Sequence, residues 1–301
     1  MIWLNGAFQE EGAGVDVADR GFLLGDGAFE TLYVENRRPA FLAEHLARLH
    51  RGLAVLRIPA PAALSDLREI IARLARDNTL AEARAAARIT VTRGPGGRGL
   101  GFPPTDETAP TMLVTLGPAP APAEAPLRLF LSERRRYSGA AAAGFKSIGG
   151  YVDNMLAFNE ARQAGADDAL LLNEKGRLAS TARANLFLID ETGAVITPPE
   201  GEGAMPGVVR GALIAGAGEH GVSIAETPIA PGDLTRARAF VTNSLLGLAP
   251  AELVSGAGLS APTGIDVFTR LQTWYRERLQ VAGCKVVLPP ATCHLQPKEI
   301  P

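Results

Sequence analysis

The segment Gly117-Pro-Ala-Pro-Ala-Pro-Ala-Glu-Ala-Pro126 divides the chain into two parts. Its alternating prolines remove backbone N–H donors and favour an extended, semi-rigid conformation, so it cannot join a sheet interior or a helix. A chain of 301 residues is long enough for two cores, because one domain usually occupies ~100 to 200 residues. The sequence therefore predicts a domain over residues 1–117, a linker over 118–126 and a larger domain over 127–282.

The part before the linker has the pattern of a small α+β unit. Strands are predicted at residues 2–4, 29–34, 87–92 and 111–116, and helices at 39–56 and 65–74. In the second helix the apolar residues recur at intervals of three to four and line one face. These residues are Leu64, Leu67, Ile70, Ile71 and Leu74.

The part after the linker alternates strands and helices less regularly. Strands are predicted at residues 127–132, 169–172, 186–189, 194–197, 222–225 and 239–242, and helices at 153–164, 208–220 and 265–280. The connections Asn173-Glu-Lys-Gly176 and Asp190-Glu-Thr-Gly193 are typical of hairpin turns. This predicts a mostly antiparallel, barrel-like second domain, followed by a proline-containing tail of uncertain order over 283–301.

Composition narrows the class of partner. A net charge of -2, with basic residues dispersed among acids, gives no basic patch for nucleic acid or for an anionic membrane, so a small molecule is expected. No apolar run reaches the ~20 residues that span a bilayer, and the expectation is a cytoplasmic protein. The two cysteines and four scattered histidines predict neither a disulfide framework nor a metal site.

Lys146 is the first candidate for chemistry. It stands in Gly-Phe-Lys-Ser-Ile-Gly-Gly-Tyr, between a predicted strand and a predicted helix. A lysine held there by glycine-rich backbone and partly removed from water loses its proton readily and becomes a Schiff-base nucleophile. Taken alone, the same position also suits a solvated loop lysine.

Five segments give the chain a specific resemblance. They are Asp19-Arg-Gly-Phe-Leu-Leu-Gly-Asp-Gly-Ala-Phe-Glu-Thr-Leu32, Phe41-Leu-Ala-Glu-His-Leu-Ala-Arg-Leu49, Lys146-Ser-Ile-Gly-Gly-Tyr151, Asn185-Leu-Phe187 and Met205-Pro-Gly-Val-Val-Arg210. Their order resembles that of the class IV aminotransferase family, the fold-type IV pyridoxal-phosphate enzymes, which includes branched-chain and D-amino acid aminotransferases and 4-amino-4-deoxychorismate lyases. The resemblance implies an α+β fold with a small N-terminal α/β domain, a larger barrel-like C-terminal α/β domain, the cofactor pyridoxal 5'-phosphate between them, and a homodimer.

The resemblance also assigns roles to individual residues. It implies that Lys146 forms the Schiff base with the cofactor and moves the proton at the substrate Cα. The same amine suits both tasks, because once released from the cofactor it lies beside that proton. Arg48 matches the arginine that grips the cofactor phosphate, and a surface arginine is the alternative. Tyr151 matches the tyrosine that hydrogen-bonds the cofactor phenolic oxygen.

Two loops are expected to hold the cofactor phosphate. Gly207, Val208 and Val209 begin a predicted helix, where free backbone N–H groups attract anions. The second loop comprises residues 242–244, in which the Thr242 and Ser244 hydroxyls can donate, and Asn243 and Asn185 belong to the same cofactor-binding set. The family commonly has threonine where this chain has Val209, which removes one side-chain donor.

Ser180 is the more consequential departure from the family pattern. Five residues before Asn185, it occupies the position of a glutamate that faces the cofactor pyridine nitrogen. A carboxylate keeps that nitrogen protonated, whereas a serine hydroxyl offers only a neutral hydrogen bond. The electron sink is then poorer, which penalises transamination more than an elimination. A misplaced register is the alternative explanation.

The substrate side leaves three functions open. Arg98 fits a carboxylate-binding arginine of D-amino acid aminotransferases, but Leu100 and Phe29 replace the other two expected ligands. Residues 98–102 and 241–250 resemble the lyase branch, which slightly favours a 4-amino-4-deoxychorismate lyase-like enzyme. A transaminase for D-amino acids or branched-chain amino acids, and a degenerate cofactor-binding paralogue with little turnover, are the alternatives.

Overall fold

The protein is built on two β-sheets with helices packed against them. The computed structural model describes residues 1–10, 12–97, 99–104, 109–254 and 265–281. The expected α+β class is confirmed by this arrangement and by the solved structures compared below.

The strands are β1 Ile2–Leu4, β2 Ala7–Gln9, β3 Gly27–Glu35, β4 Arg38–Pro39, β5 Arg84–Thr92, β6 Thr111–Pro118, β7 Leu127–Arg136, β8 Asp168–Asn173, β9 Leu178–Thr181, β10 Asn185–Ile189, β11 Val195–Thr197, β12 Ile224–Glu226, β13 Arg238–Asn243 and β14 Gly247–Leu253. The α-helices are α1 Arg20–Leu24, α2 Leu42–Val55, α3 Leu67–Asp77, α4 Val152–Gln163, α5 Val208–Gly216 and α6 Ile265–Val281.

The first sheet has the order β2-β1-β6-β5-β3-β4, and every pairing in it is antiparallel. Helices α2 and α3 cover one face and bury Leu49, Leu53 and Ile71 against Leu32 of β3. The apolar face predicted for α3 is confirmed, since its leucines and isoleucines lie in this core. Burying an aliphatic side chain of this size stabilises the fold by ~1.5 to 3 kcal/mol.

The second sheet is curled and has the order β12-β11-β10-β13-β14-β7-β8-β9. Pairing is antiparallel in four of its seven strand pairs and parallel for β11 with β12, β14 with β7, and β7 with β8. Helices α5 and α6 pack on one face, where the rings of Phe187 and Phe240 stack 4.8 Å apart. The turns predicted at residues 173–176 and 190–193 close hairpins as expected.

The chain after β7 returns to the first sheet and runs along β3. The N–H of Phe29 donates to the carbonyl of Lys146 over 2.9 Å, and the N–H of Ile148 donates to the carbonyl of Gly27 over 3.0 Å. A Cβ on Gly25 would lie 2.7 Å from the Cα of Gly149, so glycine permits this close approach. The lysine segment is therefore an added edge of β3, not a continuation of β7.

Several elements differ from those predicted. Strands β2, β4, β9 and β14 and helix α1 were not predicted as such, because each is short or lacks a sustained apolar period. Residues 119–126 contain no helix or strand and join β6 to β7, while the division into domains stays a prediction. The tail 283–301 lies outside the described residues.

No described helix is long and apolar enough to cross a membrane. The described residues likewise contain no group of three or more histidine, cysteine or acidic side chains arranged to hold a metal ion.

Candidate active site

Lys146 and Tyr151 form a hydrogen-bonded pair in the wall of a cavity. The Lys146 Nζ donates to the Tyr151 Oη over 2.9 Å, and the Tyr151 ring lies 5.0 Å from the ring of Phe29. Lys146 Nζ is 5.4 Å from the Phe29 ring centroid. Because β3 holds the backbone of Lys146 and α4 begins directly after Tyr151, two separate elements position the two polar groups.

The cavity has a volume of about 530 Å³ and brings most of the predicted residues together. The lining includes all the predicted catalytic and cofactor-binding residues. They are Lys146, Arg48, Tyr151, Ser180, Asn185, Gly207, Val208, Val209, Thr242, Asn243 and Ser244. Phe29, predicted to contact substrate, also lines it.

Arg98 lies outside the described residues. Its neighbours are held by Arg20, whose Nη1 donates to the carbonyls of Gly97 and Gly99, each over 3.0 Å. Arg20 in turn pairs with Asp26 over 2.9 Å. The described residues of this loop do not line the cavity.

Arg48 is a buried residue, not a surface arginine. Its Nε and Nη2 donate to the two carboxylate oxygens of Glu30, each over 2.7 Å, and its Nη1 donates to the carbonyl of Pro206 over 2.9 Å. Burial alone would raise the pKa of Glu30, but hydrogen bonds from Arg48 and His45 outweigh it and lower that pKa to about 2. The carboxylate is therefore ionised and fixes the guanidinium against the cavity.

His45 extends this network to the loop after β13. Its Nδ1 lies 2.7 Å from Glu30 Oε2, and its Nε2 lies 3.2 Å from Ser244 Oγ. Burial lowers the pKa of His45, with Arg48 and Lys146 acting in the same direction and Glu30 opposing them. Glu30 and His45 were missed by the sequence analysis, although His45 and Arg48 are three apart and so share one face of α2.

One end of the cavity has groups that suit an anion such as a phosphate. Helix α5 begins at Val208 with no side-chain cap, so its first backbone N–H groups have no partner within the helix. Thr242 lines the same cavity, and its Oγ1 is buried without a hydrogen-bond partner. A Cβ on Gly207 would fall 1.9 Å from Asn185 Oδ1, which keeps this end free of a side chain. Uncapped donors with one orphaned hydroxyl suit an anion.

The remaining loop residues have mainly structural contacts. Asn243 Oδ1 accepts from the N–H groups of Leu245 and Leu246, at 3.0 and 2.8 Å, and so closes its own turn. Val209 belongs to the core beneath α5 and also lines the cavity, where its hydrocarbon side chain offers no hydrogen-bond donor.

Ser180 lies on β9 in the cavity wall and is 2% exposed. Its hydroxyl donates to the carbonyl of Thr181 over 2.8 Å, which leaves the oxygen lone pairs for another group. No acidic side chain lines the cavity among the described residues. No carboxylate from another part of the described chain therefore takes the place of the glutamate that the family has at this position.

Three further arginines, Arg88, Arg136 and Arg183, line the cavity and were not predicted. Arg88 of β5 lies over the Phe29 ring at 3.8 Å, and Arg136 ends β7. Removal from water lowers the pKa of both groups from the usual arginine range. Arg88 alternates along β5 with buried apolar residues, and that alternation is the signal that could have identified it.

Residues 27–254 match the family described as amino-transferase class IV. The chain belongs to this family of pyridoxal-phosphate-dependent enzymes.

Particular relatives carry two different activities in their names. The chain is 30% identical to an aminodeoxychorismate lyase of Vibrio harveyi over 267 residues, covering 87% of this chain and 92% of that protein. It superposes on 4-amino-4-deoxychorismate lyase from Pseudomonas aeruginosa with a TM-score of 0.79 and 29% identity, covering 92% and 98% of the two chains. For the branched-chain amino acid aminotransferase of Escherichia coli the TM-score is 0.81 with 26% identity, covering 90% and 92%. The similarity therefore identifies the family and leaves the reaction open.

Proposed function

We propose that this chain binds pyridoxal phosphate at Lys146 and acts at the Cα of an amino-acid substrate, with 4-amino-4-deoxychorismate lyase-like activity favoured. The observation that carries the proposal is the single cavity that contains the Lys146–Tyr151 pair, Arg48 and the uncapped start of α5. Bound there, the cofactor would withdraw electrons from the substrate Cα.

Three residues of the cavity have distinct tasks in this proposal. Lys146 would hold the cofactor through its Nζ, and the same Nζ would take the proton from the substrate Cα. Tyr151 Oη accepts a hydrogen bond from that Nζ and orients it. Arg48 keeps N–H groups beyond those that it gives to Glu30 and Pro206, and these would be available to the phosphate.

Ser180 supports the lyase over the transaminase. With a serine in place of a carboxylate, and no acidic side chain among the described residues of the wall, nothing anionic favours a protonated pyridine nitrogen. An elimination passes the Cα electrons to a leaving group, so it depends less on a strong electron sink. In the lyase reaction, loss of the Cα proton and cleavage of the ring C–O bond yield 4-aminobenzoate and pyruvate without an oxidant.

The charge of the cavity supports an anionic substrate. Arg88, Arg136 and Arg183 line it in addition to Arg48 and Lys146, which the cofactor would engage. Arg183 is held by the carbonyl of Asp167 and the carboxylate of Asp168. The guanidinium groups of Arg88 and Arg136 therefore suit a substrate with two carboxylates, such as aminodeoxychorismate. Arg98 stays a proposed carboxylate ligand, and Phe29 is proposed to pack against the substrate.

A transaminase is the second candidate. It is supported by the similarity over 90% of this chain to the branched-chain aminotransferase of Escherichia coli. Such an enzyme would use the same Lys146 and pass the amino group to a 2-oxo acid.

A second copy of this chain is the proposed partner. Phe22 of α1 is 76% exposed, and Val152 and Met155 of α4 are also exposed. The contact between Gly25 and Gly149 brings the ends of these two helices together, so the apolar side chains share one region beside the cavity. Exposed apolar groups of this kind are typical of a protein interface, and a homodimer is expected.

The first experiment tests cofactor binding and its position. Pyridoxal phosphate is added to the purified protein, the visible absorption band is recorded, and borohydride reduction followed by peptide mapping identifies the modified lysine. Label on Lys146 supports the proposal. Lys175→Ala is the matched control, because Lys175 is half-exposed on a hairpin and should not affect the band. Label on another lysine, or no band at saturating cofactor, contradicts it.

The second experiment separates the reactions. The loaded protein is given aminodeoxychorismate, and pyruvate and 4-aminobenzoate are measured. In parallel it is given D- or L-amino acids, and conversion to the pyridoxamine form is followed. Pyruvate release favours the lyase, the pyridoxamine form favours the transaminase, and neither product indicates a degenerate paralogue.

A further inference from the structure

His45 connects a buried ion pair to the loop that is proposed to bind the cofactor phosphate. One ring nitrogen contacts Glu30 of β3 and the other contacts Ser244, 199 residues away along the chain. His45 is 1% exposed and its contact with Glu30 is buried, whereas its contact with Ser244, at the cavity wall, is partly buried. The protonation state of the ring therefore controls what the Ser244 hydroxyl can do.

The direction of the first hydrogen bond follows from the charge on Glu30. Because hydrogen bonds from Arg48 and His45 outweigh the effect of burial and hold its pKa at about 2, the Glu30 carboxylate can only accept near neutral pH. The proton on His45 must therefore be on Nδ1, which donates to Glu30 Oε2. A neutral ring then has a bare Nε2, and Ser244 donates its hydroxyl proton to it.

A Ser244 hydroxyl that donates to His45 cannot also donate to a phosphate, because it has a single proton. Protonation of His45 reverses the contact. Nε2–H then donates to Ser244 Oγ, and the hydroxyl proton is free to turn toward the cavity. The neutral histidine therefore leaves Ser244 facing the phosphate with lone pairs only, whereas the charged histidine makes Ser244 a donor.

We propose that the Glu30–His45–Ser244 chain is a proton-linked part of the phosphate site: binding of the cofactor phosphate protonates His45 and converts Ser244 into a phosphate donor. This rests on the proposed binding of pyridoxal phosphate. His45 and Glu30 are positioning residues here, since they act on the phosphate through Ser244. Neither residue lines the cavity.

The charges around His45 determine the direction of the pH dependence. Burial lowers the pKa of the ring in the free protein, Arg48 of the same helix and Lys146 of the neighbouring edge also lower it, and Glu30 of β3 raises it. A phosphate dianion in the cavity adds negative charge and raises that pKa. The added affinity is therefore present below the pKa of the free protein and is lost as pH rises through the higher pKa of the bound protein, by up to tenfold per pH unit for one proton.

Nuclear magnetic resonance of ¹⁵N-labelled histidines tests the proposal directly. The chain has four histidines, so His45→Asn identifies the His45 signals. Asparagine retains a donor for Glu30 and loses the group that reaches Ser244. At pH 8, where a phosphate monoester is mostly a dianion, we expect His45 to carry a proton on Nδ1 alone in the free protein and on both nitrogens with pyridoxal phosphate.

Calorimetry provides the second readout. Binding heats measured in buffers of different ionisation enthalpy give the number of protons taken up with pyridoxal phosphate and with pyridoxal, which lacks the phosphate. Subtracting the proton uptake measured with pyridoxal from that measured with pyridoxal phosphate removes the protons exchanged at Lys146. We expect added uptake of up to one proton with the phosphate form. It should disappear in His45→Asn and decrease in Ser244→Ala.

His220→Asn is the matched control, because His220 pairs with Glu277 on the surface and should leave the uptake unchanged. A His45 that stays neutral in the bound protein, or an uptake unaffected by His45→Asn, overturns the relay while leaving cofactor binding intact. Absence of binding by wild-type protein in either experiment overturns the proposed function as well.

Discussion

The ring of Phe145 lies directly against Gly52 of α2. A Cβ on residue 52 would come within 2.6 Å of the Phe145 Cδ2. Phe145 is 3% exposed and belongs to the core of the first sheet, and it immediately precedes Lys146. This contact therefore anchors the lysine segment in a core that is formed mainly by residues of the first sheet and its helices.

Gly52→Ala is expected to destabilise the protein and disturb Lys146. Alanine in a helix interior gains ~1 kcal/mol over glycine, but overpacking costs ~1 to 3 kcal/mol, so a net loss is expected. Urea unfolding measures the loss, and a weaker cofactor band reports the displaced lysine. Gly211→Ala in α5 is the control, because a Cβ there meets nothing within 4 Å. Equal stability of the two variants contradicts the prediction.

Thr242→Val should weaken cofactor binding without harming the free protein. The Thr242 Oγ1 is buried without a partner, so its removal leaves nothing unsatisfied and the free energy of unfolding should stay constant or rise. Loss of a hydrogen bond to a charged phosphate should weaken binding by ~1.5 to 3 kcal/mol. Titration of the visible band measures this, with Thr242→Ser as the variant that retains the hydroxyl. Unchanged affinity in Thr242→Val would remove Thr242 from the phosphate site.

Ser180→Glu should increase the rate of amino-group transfer. A carboxylate in this wall favours a protonated pyridine nitrogen and therefore a better electron sink. Rapid mixing with one amino-acid donor compares the half-reaction in wild type and variant, and Ser180→Gln controls for size without charge. A folded Ser180→Glu protein with an unchanged or lower rate argues against this position for Ser180.

Arg88→Gln should weaken substrate binding and leave cofactor binding intact. Losing a hydrogen bond between charged groups costs ~1.5 to 3 kcal/mol, which is ~10- to 100-fold in affinity. Arg84→Gln is the control on the same strand, since Arg84 donates to the Tyr33 hydroxyl and does not line the cavity. Steady-state KM for substrate and titration with cofactor distinguish the two effects. Equal KM values in wild type and Arg88→Gln would exclude the role.

The free energy of unfolding should decrease in acid as Glu30 becomes protonated. Its pKa is lowered from 4.5 to about 2 in the folded protein, so its contribution is present above pH ~4.5 and is lost as pH falls toward 2. At ~1.36 kcal/mol per unit the contribution is ~3 kcal/mol. Glu30→Gln should therefore be much less stable than wild type at pH 7, and the difference in unfolding free energy should shrink by pH 3. A constant difference across that range contradicts the assignment.

Much of the site could be predicted because its residues occur in ordered motifs. Lys146, Arg48, Ser180 and the two phosphate loops were all identified from sequence as candidates, and all line one cavity. Their chemical roles stay predictions. Glu30 could not be assigned, because its partners Arg48 and His45 are 18 and 15 residues away and nothing local to β3 indicates them.

The sequence by itself determined the local structure: the apolar face of α3, the two hairpin turns and the order of the motifs. These depend on side-chain period and turn residues within a few positions of one another. The tertiary structure alone decided that Lys146 lies along β3 and that His45 contacts Ser244. Such contacts arise from packing between elements distant in the chain, where burial, close approach of glycines and pairing of buried charges select one arrangement.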